Sequence, residues 1–266
     1  MSEQIERVIG TVLDNVDIAP RHRVITVEAP HIARLARPGH FVNVLTADSY
    51  DPLLRKPFSV FTVDRPSGVI QLLFSVVGGT TRRMASKRAG DHLDIIGPLG
   101  GRVFHPSTEL NARHVMVGGG YGVPPLVFLA SELLKRTPNA DINFLIGARE
   151  RELLLCLEHL QATGIRTHTS TEDGSHGLKG RITDVLAPIL GDSGRETTVY
   201  CCGPTPMMRA VGELCQSAGV SCQVSVEVGM PCGVGVCMAC VIDVKNGKRV
   251  RCCTDGPVFD ASEVLW

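Results

Sequence analysis

Residues 230–240 read Met-Pro-Cys-Gly-Val-Gly-Val-Cys-Met-Ala-Cys, and this stretch decides how the C-terminal part of the chain must fold. Its cysteines have the spacing C-x4-C-x2-C, which is that of plant-type [2Fe-2S] centres. A loop around such a cluster needs unusual backbone angles and close approach of amide groups to the sulfurs, and Gly233 and Gly235 supply that freedom. The pattern therefore predicts three cluster ligands: Cys232, Cys237 and Cys240.

A fourth thiolate must come from elsewhere, and the nearby cysteines are Cys252 and Cys253. Twelve residues, 241–252, separate Cys240 from Cys253, which is room for one hairpin. Asn246-Gly247 is a strong turn signal between two short β-prone runs, so the hairpin would return the fourth ligand to the cluster. The residues alone leave both cysteines open as that ligand.

Structural zinc and disulfides are the alternative uses of these cysteines. Zinc ribbons usually pair two C-x2-C knuckles, whereas the longer first gap and the glycines favour a cluster. The first residues, Met1–Arg7, contain no apolar segment typical of a signal peptide. We therefore expect a cytoplasmic chain whose ten cysteines serve metal binding or redox chemistry.

The composition is that of an ordinary soluble protein, with 266 residues of which 44% are hydrophobic and 20% charged. Basic and acidic residues number 27 each, which gives no electrostatic reason to expect nucleic acid or an anionic membrane surface as a partner. No apolar run approaches the ~20 residues that a membrane span requires.

Hydrophobic patterning divides the chain into three parts and predicts a multi-domain fold. Residues 1–104 contain short β-prone runs bounded by Pro, Gly and Asp, which predict an antiparallel β-barrel. Residues 105–226 alternate apolar strands with helical stretches, which predicts an α/β doubly wound parallel sheet. Residues 227–266 are expected to form a small C-terminal cluster module. Helices of the α/β part are expected at 123–135, 150–160 and 205–217.

Two segments of the predicted barrel have residue types that bind a flavin. An arginine can hold a phosphate through two hydrogen bonds, and a serine can hydrogen-bond a flavin ring edge. A Gly/Thr turn that opens a helix presents amide groups to phosphates. The structural alternatives, without a flavin, are an edge strand for the first segment and a capped helix for the second. The candidates are Arg55, Pro57, Phe58 and Ser59 on the strand, and Gly78, Gly79, Thr80 and Thr81 in the turn.

Two segments of the α/β part favour a dinucleotide. Residues 115–126 run from a strand through a glycine turn into a helix, which lets a pyrophosphate approach the helix N-terminus. Residues 200–207 end a later strand at the sheet edge where ligands sit. For Cys201 we expect a buried apolar role. The candidates are Gly118, Gly119, Gly120 and Gly122 in the turn, with Cys202, Gly203 and Pro204 beside the nicotinamide.

Glu227 lies shortly before the cluster segment and could tune a flavin or relay a proton, although a surface glutamate is equally compatible with the sequence. Cys202 and Glu227 are the catalytic candidates. Arg149 and Arg151 follow the strand expected at 142–146, where a 2′-phosphate could be bound, so the sequence leaves NAD and NADP open.

The order of barrel, nucleotide sheet and cluster segment resembles the ferredoxin–NADP reductase superfamily. Within it, the chain is similar over essentially its whole length to the electron-transfer subunits of NAD-linked dihydroorotate dehydrogenases. The most specific match is Cys253-Thr-Asp-Gly-Pro-Val-Phe259, because the family's fourth cluster cysteine stands just before such a segment; the resemblance thus selects Cys253 over Cys252. Two departures are Tyr121, in place of a smaller aliphatic residue, and a flavin turn without the lysine often found there.

The resemblance implies non-covalent FAD on the barrel, NAD on the sheet and one [2Fe-2S] cluster. It implies a separate catalytic subunit that holds FMN and oxidises dihydroorotate to orotate in pyrimidine biosynthesis, in a heterotetramer of two of each. Electrons would pass singly from that FMN through the cluster to FAD, which would reduce NAD⁺.

Three other functions remain open at this point. A sulfide dehydrogenase or ferredoxin:NADP oxidoreductase subunit shares the three parts, but some relatives replace a cluster cysteine with aspartate. An oxygenase reductase with a plant-type ferredoxin domain has its last cysteine much farther along the chain. A zinc-bearing, non-catalytic interaction module would be colourless.

Overall fold

The computed structural model describes residues 5–46, 53–109, 111–191 and 194–266. Residues 1–4, at the start of the segment expected to lack a signal peptide, lie outside these ranges. Among the described residues, no helix combines the length and apolar character that crossing a bilayer requires.

Contacts divide the chain into two compact units. The first unit consists of Met1–Val103, Val228–Val241 and Val250–Pro257, and the second of Phe104–Glu227, Ile242–Arg249 and Val258–Trp266. The residues expected to form a separate cluster module are therefore shared between the two units, and the three-domain boundaries stay a prediction.

The first unit contains a closed barrel of six antiparallel strands, as the sequence predicts. The strand order around the wall is β1-β2-β5-β4-β3-β6, and β1 pairs with β6 to close it. Alternation places residues such as Val12 and Ile25 inside, where both are fully buried. The elements are β1 (Glu6–Ala19), β2 (His22–Glu28), α1 (Pro30–Leu35), β3 (Phe41–Leu45), β4 (Lys56–Asp64), β5 (Val69–Ser75), α2 (Gly79–Ser86) and β6 (His92–Leu99).

The second unit contains a seven-stranded sheet of order β10-β9-β8-β7-β11-β12-β15, in which β15 is Val258–Asp260. Its strands are parallel except for the last pair. Central strands are continuous apolar runs such as Val115–Val117, as expected where helices cover both faces. The elements are β7 (Arg113–Gly119), α3 (Val123–Arg136), β8 (Asp141–Ala148), α4 (Leu157–Ala162), β9 (Arg166–Thr171), β10 (Leu178–Lys179), α5 (Ile182–Leu190), β11 (Thr197–Cys202), α6 (Thr205–Ala218) and β12 (Ser221–Ser225).

Two helices of this unit differ from expectation. The helix expected at 150–160 is a single 3-10 turn, Arg151–Leu153, followed by the short α4, because Cys156 between them has φ +62° and interrupts the helix. The helix α5 has no counterpart among the expected helices, and it contains Pro188 in its interior.

The C-terminal part contributes a hairpin, a short helix and one sheet strand. The predicted turn at Asn246-Gly247 joins β13 (Val241–Asp243) to β14 (Arg249–Arg251), and Gly247 has the positive φ that such turns require. Next comes α7 (Cys252–Asp255). The last strand, β15 (Val258–Asp260), pairs antiparallel with β12, because its apolar Val258 and Phe259 are buried against that sheet.

Candidate functional site

The cysteines at the C-terminal end of the chain come together as two pairs of sulfurs. Sγ of Cys240 lies 3.3 Å from Sγ of Cys253. The side chain of Cys237 hydrogen-bonds that of Cys232. Each iron of a [2Fe-2S] cluster takes two thiolates, so two pairs of sulfurs fit this cluster.

A single metal ion fits this arrangement poorly. Among the described residues, no three or more His, Cys, Asp or Glu side chains are grouped so that they could hold one ion. A structural zinc would need four ligands around one point. Two pairs of sulfurs suit the two irons of a [2Fe-2S] cluster better than they suit one zinc ion.

Backbone amide groups face these sulfurs, as a cluster loop requires. Burial acts to raise the pKa of Cys232, but hydrogen bonds from the backbone of Cys237, Val234 and Val236 and from the Cys237 side chain lower it to about 6. The Gly235 amide donates toward Cys253, whose pKa burial nonetheless raises to about 12. Such N–H···S bonds stabilise negative charge on bound thiolates and tune a cluster.

The two glycines of the loop each have a positive φ, but they pack closely against different neighbours. Gly233 and Gly235 have φ of +68° and +80°, which side chains rarely adopt. A Cβ on Gly233 would lie 2.7 Å from Nδ2 of Asn43, and one on Gly235 would lie 2.9 Å from Cγ2 of Thr254. The loop therefore packs closely on the barrel at one glycine and on α7 at the other.

Cys252 lies next to Cys253 but differs from it in its contacts. Cys252 is fully buried, and its amide N–H donates to the carbonyl of Cys240 at 3.0 Å. Burial raises the pKa of its thiol to about 12. The described contacts place Cys253, rather than Cys252, within 4 Å of a predicted ligand sulfur.

The predicted flavin strand places its arginine in an ion pair. Nη2 of Arg55 lies 2.8 Å from Oδ1 of Asp94, and Nη1 donates to the Asp94 carbonyl at 3.0 Å. Burial acts to raise the pKa of Asp94, but hydrogen bonds from Arg7 and Arg55 lower it below its ordinary value. Most of the Arg55 guanidinium is therefore engaged within the barrel wall.

Lys56, which sequence reasoning did not single out, begins β4 with an exposed side chain. It is followed by Pro57, Phe58 and Ser59, each half-buried along the same strand. The sequence signal for Lys56 is its position as a cation at the start of the strand, directly beside Arg55. Lys56 is therefore a second cation on this strand that could reach a cofactor phosphate.

The predicted phosphate turn forms the N-terminus of α2. The first helical hydrogen bond joins the Arg82 amide to the Gly78 carbonyl, so the amides before it have no partner inside the helix. The Thr81 hydroxyl accepts from the amides of Val77 and Gly78 and thereby shapes the turn. A Cβ on Gly78 or Gly79 would meet no atom within 4 Å, which leaves space for a phosphate against the backbone. Thr80 is buried in this turn.

The glycine turn after β7 is shaped by the neighbouring strand end. A Cβ on Gly122 would collide with the carbonyl group of Cys202, so only glycine fits there. Around Gly120, by contrast, a Cβ would meet nothing within 4 Å. The structure thus brings the two predicted nucleotide segments together and leaves one side of the turn open, as pyrophosphate binding requires. Gly119, Gly203 and Pro204 lie in the same contact, whereas a Cβ on Gly118 would meet Val123 and Leu126 of the helix that follows the turn.

The two catalytic candidates contact each other. Sγ of Cys202, the last residue of β11, lies 3.7 Å from Oε1 of Glu227. Burial and the neighbouring Glu227 carboxylate raise the pKa of Cys202 well above its ordinary value, so at neutral pH the thiol is protonated and donates. Desolvation raises the pKa of Glu227, and the hydrogen bond from Cys202 partly offsets the rise. Glu227 as a whole is nevertheless an exposed residue, as the surface alternative expects.

Arg149 and Arg151 are both exposed after β8. The Arg149 carbonyl accepts from the Asp173 amide, and the Arg151 amide donates to Oγ of Ser175. These contacts fix the backbone at the strand end.

Comparison with known proteins gives two matching family models. Residues 227–265 match the iron-sulfur cluster binding domain of dihydroorotate dehydrogenase B, and residues 116–213 match the oxidoreductase NAD-binding domain. The solved structure of an NADH-dependent reduced ferredoxin-NADP oxidoreductase superposes with a TM-score of 0.82 and 29% identity, covering 97% of this chain and 90% of that one.

Curated relatives match along nearly the whole chain. The dihydroorotate dehydrogenase B (NAD(+)) electron transfer subunit of Desulforamulus reducens is 35% identical over 252 residues, covering 94% of each chain. The subunit of the same name from Geobacillus kaustophilus is 38% identical over 250 residues, covering 93% of this chain and 94% of that one. With these relatives, the paired cysteines and the barrel-plus-sheet fold, the chain belongs to the family of dihydroorotate dehydrogenase B electron transfer subunits.

Proposed function

We propose that this chain passes electrons from a catalytic dihydroorotate dehydrogenase subunit, which holds FMN, through a [2Fe-2S] cluster and FAD to NAD⁺ in pyrimidine biosynthesis. The observation that carries the proposal is the pairing of sulfurs within residues that match the family's cluster-binding domain. The oxidoreductase character and the cofactors FAD, NAD and [2Fe-2S] follow from the family, the NAD-binding domain and the fold.

The residues of the first unit are suited to hold two redox groups. The cluster would be held by Cys232, Cys237, Cys240 and Cys253, with amide groups directed at the sulfurs. The flavin phosphates would rest on the open turn at 78–81, and the ring against the β4 segment that includes Ser59. When bound, a flavin links the one-electron chemistry of a cluster to the two-electron chemistry of NAD⁺.

The residues of the second unit are suited to bind the dinucleotide and hold a proton. The glycine turn accepts a pyrophosphate because Gly122 packs on the Cys202 backbone while Gly120 is open. The Cys202 thiol donates to Glu227, so this pair holds a proton at the end of β11. The placement of nicotinamide beside Cys202 and Gly203 belongs to this proposal.

A partner subunit is supported by the surface of the cluster loop. Val234, Val236 and Met238 are 41%, 76% and 57% exposed, and Cys237 between them is also exposed. An apolar surface around a redox centre suits a protein partner better than water. We infer that the FMN-containing subunit covers this loop, in a cytoplasmic complex of two copies of each chain.

The test is to coexpress this chain with an FMN-containing dihydroorotate dehydrogenase subunit from the same organism and to purify the complex. Iron, acid-labile sulfide, FAD and FMN are measured, together with dihydroorotate-dependent NAD⁺ reduction. Two irons and one FAD per copy of this chain, with orotate formed, are the expected result. A complex with the cofactors but no dihydroorotate oxidation would overturn the substrate assignment.

A second function, as a subunit that couples NAD(P)H to ferredoxin, is favoured by the likeness to the ferredoxin-NADP oxidoreductase structure. Ferredoxin in place of the dehydrogenase subunit distinguishes the two. Rapid NADPH-dependent ferredoxin reduction by the chain with its partner, without activity on dihydroorotate, would support this second function.

A further inference from the structure

Asn43 is a fully buried amide in the wall of the barrel. It is the middle residue of β3, where its neighbours Val42 and Val44 are also fully buried. On either side it pairs in register with Pro57 of the predicted flavin strand and with Ile96 of β6. A polar side chain in such apolar surroundings is costly unless it forms hydrogen bonds, so its partners are informative.

The hydrogen bonds of this side chain go to the start of the cluster loop. Nδ2 of Asn43 donates to the carbonyl of Met230 at 3.1 Å and to the carbonyl of Pro231 at 3.3 Å. Because both partners are acceptors, the amide must present its nitrogen to them. One side chain therefore fixes two successive peptide groups just before Cys232.

These bonds also fix the direction of the peptide that enters the loop. In a trans peptide, the N–H points opposite to the carbonyl. The Pro231 carbonyl faces Asn43, so the Cys232 amide points away from the barrel wall. The next residue, Gly233, packs on the same side chain, since a Cβ there would lie 2.7 Å from Nδ2. The loop thus begins from a position set by Asn43.

The backbone of Asn43 contacts the other redox segment. Nη1 of Arg55, which precedes β4, approaches the Asn43 carbonyl at 3.5 Å and is held by Asp94. Asn43 accordingly touches the cluster loop through its side chain and the predicted flavin segment through its main chain.

The remaining polar atom of the side chain is unsatisfied. Oδ1 of Asn43 is buried and accepts no hydrogen bond from the residues that the structure describes. Burying an acceptor without a donor works against stability. The amide is therefore better explained by its two donor contacts with the loop than by a contribution to barrel stability.

We propose that Asn43 is a positioning residue that fixes the cluster loop on the barrel and thereby sets the electronic environment of the cluster. The proposal rests on the proposed function only in that a cluster occupies the cysteines. Amide-to-sulfur hydrogen bonds raise the reduction potential of a cluster by stabilising negative charge, and they depend on where the loop begins.

The test compares Asn43→Leu and Asn43→Asp with the wild-type chain. Leucine keeps a similar volume but loses both donors, and aspartate keeps the shape but places an oxygen against two carbonyl oxygens. Asn143→Leu is the matched control, since Asn143 is a buried strand asparagine of β8 that bonds Asp141 and Arg166 instead. The readouts are the EPR spectrum of the dithionite-reduced chain, the cluster potential, and iron and FAD content.

In both Asn43 variants we expect changed g values in the EPR spectrum and a cluster reduction potential below that of the wild type by more than the spread of replicate titrations. The FAD content should be retained. Loss of iron with FAD retained would support the same role. An unchanged spectrum and potential, an equal change in Asn143→Leu, or loss of FAD together with iron in both variants would overturn it. The comparison needs no partner, whereas the proposed function is tested on the complex with the catalytic subunit. A wild-type chain that shows the cluster signal, in a complex without dihydroorotate activity, would therefore refute the proposed function alone.

Discussion

The sulfurs of Cys240 and Cys253 lie 3.3 Å apart, whereas the adjacent Cys252 contacts Cys240 through its backbone. We therefore expect the Cys253→Ser chain to lose most of its iron and the cluster's share of the visible absorbance while the flavin absorbance stays, because one iron is left with a single thiolate. Cys252→Ser is the control, and it should keep iron and sulfide at the wild-type level. Metal analysis and absorption spectra of anaerobically purified chains measure both. A Cys252→Ser protein without a cluster would reverse the assignment of the fourth ligand.

The cations of the flavin strand should separate into a structural and a binding residue. Arg55→Ala is expected to lower FAD occupancy and the melting temperature of the flavin-free chain together, because it leaves Asp94 without its part-buried partner. Removing one partner of such a pair costs about 1–3 kcal/mol. Lys56→Ala should weaken FAD binding without changing that melting temperature, since its side chain is exposed.

Thermal unfolding of the flavin-free variants and FAD titration by fluorescence separate these effects. Unchanged FAD binding in Arg55→Ala would show that Arg55 does not belong to the flavin site. Unchanged FAD binding in Lys56→Ala would show the same for Lys56.

Asp94 should make the barrel sensitive to acid. Burial opposes ionisation of this carboxyl group, but the hydrogen bonds from Arg7 and Arg55 prevail and lower its pKa below 3.8. The stabilisation is therefore present above the unfolded-state pKa and is lost as the pH falls through the folded-state value, below about pH 4. Asp94→Asn should be less stable than wild type at neutral pH, and the difference should shrink toward pH 3.

Urea unfolding at several pH values measures this difference, with Asp243→Asn as a control for an exposed ion pair. A stability difference that stays constant down to about pH 3 would contradict the role given to Asp94.

The parts that sequence predicts well here are those set by local pattern. Apolar runs bounded by turn residues predict the barrel and the sheet, and Asn246-Gly247 predicts the hairpin, because strand and turn preferences act over a few residues. The contact between Asn43 and Met230 spans 187 positions, and no local pattern signals it. The pair Arg55–Asp94 likewise depends on the closure of β3 against β6.

Cysteine spacing predicts three ligands. The choice of Cys253 over Cys252 depends on the resemblance, because spacing cannot tell which of two adjacent cysteines in α7 directs its sulfur at the cluster. The prediction of one helix over 150–160 is wrong because the positive φ of Cys156 interrupts it, and no glycine at that position signals such a backbone angle.

Glu227 should control the acid side of the pH profile for NADH oxidation at the flavin. Desolvation raises its pKa, so in wild type the rate should fall as the pH drops through that raised value and Glu227 loses its charge. Glu227→Gln should lower the rate with an artificial dye by about 10- to 100-fold, near the lower limit for loss of a proton-handling group. The acid limb of its profile should also flatten, while KM for NADH changes little.

Cys202→Ala tests the other half of the pair. Without the thiol donor that stabilises the carboxylate, Glu227 should titrate at still higher pH, and the acid limb should move upward. Steady-state kinetics from about pH 5 to 9 record all three profiles. An acid limb that is identical in wild type, Glu227→Gln and Cys202→Ala would show that this pair takes no part in the chemistry at the nicotinamide.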